Sequence, residues 1–133
     1  MALARRMRSE SPSDPLPGAQ MTLLGSIDRL GANASPSALA ERHGLRSSNL
    51  AALLSRLETA GYIKRVYVET DRRKIRVVLT QIGQQKLETN RAERALWLDA
   101  AMRASLNTEE RALLQRAGPL LERLASYTTD TPL

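Results

Sequence analysis

The sequence predicts a mainly α fold carrying one small β-hairpin. Three observations predict it. Leucine and isoleucine recur at helical spacing in separate stretches, two short β-prone runs flank a charged tip, and two short helices meet across Gly44. A chain of 133 residues fits one domain, or one domain with a helical appendage, and excludes most large catalytic folds. With 42% hydrophobic residues but only 3% aromatics and no phenylalanine, the core must be built from Leu, Ala, Ile and Val. The absence of cysteine excludes disulfides, thiolate metal sites and thiol redox sensing, and the single His43 cannot form a histidine cluster. Neither a metal nor a cofactor is expected.

Taken in order, Met1 to Arg8 form at most a short helix, because Ser9 to Gly18 hold three prolines among turn formers and read as a linker. From Ala19 to Leu30, Leu23, Leu24, Ile27 and Leu30 mark one amphipathic helix, which Gly31 stops. Ser35-Pro36 reads as an N-cap followed by proline at the first helical position, where the missing N–H costs nothing. The short helix it opens buries Leu39 and Ala40 and stops at Gly44. A second helix follows from about Ser47 to Ala60, with Leu50, Leu53, Leu54 and Leu57 on one stripe and Gly61 as its left-handed end. The pair makes a helix-turn-helix.

The hairpin comes next: Tyr62 to Val68, a charged tip from Glu69 to Lys74, and Ile75 to Leu79. Its tip lacks glycine, which predicts a loop longer than a two-residue turn. Thr80 caps a long helix through about Ala104, and Asn107 with Glu110 forms a capping box that starts the last one. There Leu113, Leu114, Ala117, Leu120, Leu121 and Leu124 form a continuous stripe that needs a partner, and Pro119 inside it should bend or divide the helix. Residues 128–133 read as a frayed tail.

The charge is segregated. Of 20 Lys and Arg against 14 Asp and Glu, the stretch from Arg42 to Arg76 holds nine cations and only Glu58, Glu69 and Asp71 in opposition. It therefore carries the entire net charge of +6, and the remainder is neutral. A solvated mixed-sign surface would be balanced throughout, so this pattern is the electrostatic footprint of a polyanion-binding segment. No apolar run approaches the roughly 18 residues a membrane span needs, and no apolar stretch follows the N-terminal arginines as a secretory signal would require. A cytoplasmic chain with no membrane partner is expected.

The order Ala40, Gly44, Leu50 is that of many helix-turn-helix units: a small residue at the helix contact, glycine at the turn, an apolar residue facing the core. It continues as Leu57-Glu58-x-x-Gly61-Tyr62-Ile63-Lys64-Arg65, then Asp71-Arg72-Arg73-Lys74-x-x-Val77-x-Leu79-Thr80-x-x-Gly83. This run strongly resembles the MarR family of bacterial winged-helix transcription regulators, over about Pro17 to Tyr127. The resemblance implies a winged helix-turn-helix with flanking dimerisation helices: a DNA-binding domain at 19–80 and dimerisation helices at 81–127. It further implies a homodimer on a pseudo-palindromic operator, most often a repressor, released by a small aromatic or phenolic effector. Only about eight residues precede the proline-rich break, where the family normally opens with a long helix.

If the leucine stripe of the second helix faces inward, then Ser47, Ser48, Ala51, Ala52 and Ser55 face outward, with Arg46 at the entry and Arg56 at the flank. Short hydroxyls suit bases or phosphates, and an alanine methyl suits a thymine methyl. By the resemblance, Arg72, Arg73 and Lys74 form the wing and enter a minor groove, with Asp71 orienting Arg73 through a salt bridge and hydrogen bonds. Arg46, Ala51 and Ala52 stand where the family usually carries a serine-like cap and polar readers. His43 reads as a helix-end residue, and Trp97 as packing at the subunit junction. The competing reading is a winged-helix interaction module that binds a protein partner or RNA without promoter recognition. An enzyme is not expected, since no phosphate loop and no nucleophile–base pair is visible.

Overall fold

The computed structural model describes residues 2–9 and 18–127, and for Arg8, Ser9 and Arg72 the backbone alone. Of the expected linker from Ser9 to Gly18, Ser9 ends α1 and Gly18 opens α2, while residues 10–17, like the tail at 128–133, lie outside the described residues. Two compact units are formed, Met1–Arg94 and Ala95–Leu133. The first holds α1 (Ala2–Ser9), α2 (Gly18–Leu30), a 3-10 turn (Gly31–Asn33), α3 (Pro36–His43), α4 (Ser47–Thr59), β1 (Ile63–Val68), β2 (Asp71–Leu79) and the start of α5 (Gln81–Ser105). The second holds the rest of α5 and α6 (Thr108–Ala125).

One face each of α2, α3, α4, the hairpin and the start of α5 goes into a single aliphatic core. Leu23, Leu24 and Ile27 come from α2, Leu39 and Ala40 from α3, Leu50, Leu54 and Leu57 from α4. Ile63, Val77 and Leu87 close it from the hairpin and α5. Leu53, assigned to the same stripe by spacing, packs against the core but is only partly buried, because it sits on the flank of the α4 face. Burial of these side chains at roughly 1.5–3 kcal/mol each is what holds helices this short in place, since isolated helices of their length are marginal in water.

The turn between α3 and α4 is set by local chemistry. The Ser35 hydroxyl accepts from Ala38 N–H at 3.1 Å, satisfying one of the open donors of α3. At the other end Gly44 takes φ 62° and ψ 32°, left-handed values that a side chain disfavours. This lets Leu45 N–H reach the Ala40 carbonyl at 2.9 Å and Gly44 N–H reach Glu41 at 3.2 Å, the paired bonds of a Schellman cap. The end of α4 repeats the device: Tyr62 N–H donates to Leu57 and Gly61 N–H to Glu58, both at 3.0 Å.

The hairpin departs from expectation in one respect. Ile63 faces Leu79 and pairing runs in register to Tyr67 and Ile75, after which Val68 faces Asp71. Only Glu69 and Thr70 form the turn, so Arg72, Arg73 and Lys74 are three unmatched residues within β2, where a longer loop with these cations at its tip was expected. Tight two-residue turns that match strand twist need positive φ. No non-glycine residue among those described has it, and the mismatch is taken up as a bulge on one strand. On its other edge β2 donates from Val77 N–H to the Ala34 carbonyl at 2.7 Å, tying the hairpin to the residues before α3.

In the second unit Asn107 and Glu110 form the expected capping box, at 2.8 and 3.0 Å. Pro119 does not divide α6, which runs unbroken to Ala125. Proline's φ suits a helix; what it removes is the N–H that would bond to Gln115, and that residue faces solvent, where water serves its carbonyl.

The start of α5 passes so close to the root of the hairpin that a Cβ on Gly83 would collide with the Tyr62 carbonyl oxygen. Gly83→Ala is therefore expected to destabilise the first unit by about 2 kcal/mol or more, an overpacking cost set against backbone that cannot step aside. Urea unfolding followed by circular dichroism measures this, and a midpoint equal to that of the unaltered protein would contradict it.

Candidate nucleic-acid interface

The outward face of α4 follows from what its inward face buries. With Leu50, Leu54 and Leu57 in the core, Ser47, Ser48, Ala51, Ala52, Ser55 and Arg56 are all exposed, as the leucine spacing requires. Arg46 is the N-cap, with extended φ and ψ and no side-chain cap bond, so its guanidinium is not spent on closing the helix. Ser47 and Ser48 are the first two helical residues, and neither is the cap. Asn49 is exposed on the same helix and was not among the outward residues taken from the sequence. It sits immediately before Leu50, at the flank of the stripe, where subtracting the apolar face does not find it.

The wing carries the cations. Arg73 and Lys74 are exposed, and the side chain of Arg72 lies outside the described residues. Asp71 accepts from the backbone N–H of Arg73 at 3.0 Å, and among the described residues it forms no ion pair with the Arg73 guanidinium. The expected orienting role is thus exerted on the main chain: an Asx-type turn sets the direction of the bulge and leaves the guanidinium available. Tyr67 projects from β1 with 68% of its surface exposed. Arg65 is engaged with Glu58 at 3.2 Å, a pair that links the end of α4 to β1 and, being half exposed, adds little stability.

An open cleft of about 650 Å³ lies between the start of α3 and the wing, lined among others by Asn33, Ser35, Ser37, Arg73, Lys74 and Arg76. The sequence places these groups some 40 residues apart, and β2 brings them together. Arg76 Nε is buried with no hydrogen-bond partner among the described residues. A second, apolar cleft of about 330 Å³ is bordered by Thr22, Leu23, His43, Leu45 and Leu53. No group of three or more metal-ligating side chains occurs among the described residues.

The comparisons agree with this geometry. Residues 14–74 match the model of the MarR family. An HTH-type transcriptional regulator of Mycobacterium tuberculosis is 31% identical over 121 residues, 91% of this chain and 83% of that protein. The chain belongs to the MarR family. A crystal structure of a Pseudomonas aeruginosa protein superposes with a TM-score of 0.81 at 48% identity, covering 96% of this chain and 87% of that one. MarR of E. coli, solved as a mutant in complex with operator DNA, gives 0.64 at 27% identity, with 92% and 85% covered. This MarR-family chain thus has the family's winged helix, with the basic segment of its sequence mapped onto α4 and the hairpin.

His43 ends α3, and its Nε2 lies 2.8 Å from the Ser26 hydroxyl of α2. Burial holds its imidazole below the ordinary value of 6.5, and the neighbouring Arg42 adds to the effect. The unfolded chain therefore binds a proton more readily than the folded one, and stability is present above pH 6.5 and declines as pH falls below it. Replacing His43 with Gln should flatten that decline below pH 6.5, as read by thermal melts. Equal pH slopes in the two proteins would refute it.

Proposed function

We propose that this MarR-family protein is a dimeric transcription regulator that binds pseudo-palindromic duplex DNA in the cytoplasm, acting as a repressor that a small aromatic or phenolic effector releases. The observation that carries the reading is the union, in one unit, of a polar recognition-helix face with a basic wing whose exposed cations Arg73 and Lys74 have no ion-pair partner among the described residues. Members of this family are DNA-binding regulators rather than enzymes, and one at 27% identity is solved on its operator.

The roles follow from the positions. Arg46 at the helix entry and Arg56 at its flank meet phosphates or base edges; Ser47, Ser48 and Ser55 supply short hydroxyls; Ala51 and Ala52 present methyl groups to thymine. Arg73 and Lys74, with Arg72, occupy the minor groove, and Asp71 holds their bulge in place. Dimerisation is assigned to α5 and α6. Leu113, Leu114, Leu120, Leu121 and Leu124 are all 45–73% exposed in the single chain, a contiguous apolar face that a monomer would leave in water. The apolar cleft beside His43 has the volume for a one-ring effector.

Two measurements test this. Electrophoretic shifts with an upstream-region duplex should weaken steeply with salt, and Arg73→Ala with Lys74→Ala, which removes four cations from the dimer, should lower affinity at least on the order of tenfold and reduce the log–log salt slope by about four. Binding that ignores salt, or that survives the double substitution unchanged, would rule the wing out. Sedimentation should show a dimer at micromolar concentration, converted to a folded monomer by Leu120→Asp with Leu124→Asp; a monomer before substitution defeats the dimer assignment.

A further inference from the structure

Resting on the DNA-reading role proposed above, we infer that Asn49 and Arg56 are a matched pair of base readers, Asn49 for adenine and Arg56 for guanine about three base pairs away. Both side chains are exposed, and neither has a hydrogen-bond or ion-pair partner among the described residues. Between Ser47 and Arg56 every other outward residue is serine or alanine, none longer than a hydroxymethyl group. So short a surface lets the helix backbone approach the groove floor, and Asn49 and Arg56, on one flank of that surface beside Leu53, are then the two side chains long enough to reach past its edge.

Their chemistry differs in kind. A carboxamide offers one donor and one acceptor side by side, the complement of adenine N6 and N7, whereas a guanidinium offers paired donors, the complement of guanine O6 and N7. Asn49 is in the first turn of α4, the part of a recognition helix that reaches base edges. Their spacing also matches a groove track. Seven residues fall about 20° short of two full helical turns, so the two side chains lie on one stripe of α4, separated by about 10.5 Å of rise. At about 3.4 Å per base pair that rise covers roughly three steps. Ala52 lies between them, with its methyl free for a thymine.

The test is selection from a randomised duplex library with the full chain, Asn49→Ala and Arg56→Ala. The unaltered protein should enrich an adenine and a guanine about three base pairs apart in each half-site. Asn49→Ala should lose the adenine preference alone, and Arg56→Ala the guanine preference alone, each on the order of tenfold. A chemical probe removes dependence on the variants: 7-deazaadenine at the selected position deletes the N7 acceptor, and should weaken binding of the unaltered protein about tenfold but leave the affinity of Asn49→Ala where it was. If Asn49→Ala retains the adenine preference, or the deaza base is tolerated by the unaltered protein, the pairing is wrong while the DNA-reading role stands. If the unaltered protein enriches no sequence at all, both fall.

Discussion

The elements that carry the interface meet at Thr80. Its hydroxyl donates to the Gly61 carbonyl at the end of α4 and accepts from Gly83 N–H in the first turn of α5, while its own N–H donates to the Tyr62 carbonyl at the root of the hairpin. One side chain thus uses both its donor and an acceptor lone pair to join three elements. Gly83 makes the arrangement possible, since any larger residue would hold α5 away from the Tyr62 carbonyl. A second tie, from Val77 N–H to Ala34, fixes the hairpin to the entry of α3. The wing and the recognition helix are therefore positioned by backbone groups, which do not depend on long, exposed side chains keeping one conformation.

Much of this was legible in the sequence where the determining physics is local. Ser35, Gly44, Gly61 and Asn107 act within a few residues of themselves, and each does in the structure what its chemistry predicts; the cap that Thr80 places on α5 is local too, but its bonds to Gly61 and Tyr62 are tertiary and were not legible. The leucine stripe of α4 was equally legible, because burial repeats every 3.6 residues and only Leu53 falls at its margin. The bulge in β2 was not, because register is decided by cross-strand pairs, and Arg72, Arg73 and Lys74 carry no apolar alternation to show which of them face a partner. Nor could spacing reveal that Asp71 would bind main chain, that His43 would meet Ser26 seventeen residues earlier, or that β2 would bring Arg76 beside Asn33. Those are consequences of tertiary contact.

Charge and apolar surface are divided between the units. The basic excess lies wholly on the first, where it serves attraction to a polyanion and costs little, since the core beneath it is aliphatic and complete. The second unit leaves five leucines of α6 exposed in the single chain and carries a net charge of only −1, four arginines against five carboxylates. The first unit therefore holds a core of its own, whereas α6 contributes no buried residue in the single chain.

The outward face of α4 contributes nothing to that core. No residue from Ser47 to Arg56 on this face is buried, and the N-cap Arg46 makes no capping bond that a replacement would forfeit. The residues that anchor this thirteen-residue helix and those proposed to meet DNA are therefore separate sets. In evolutionary terms the recognition surface can drift at almost no folding cost. Duplicated copies of such a gene can diverge on this face by single substitutions, with the leucine face and the Thr80 junction left untouched.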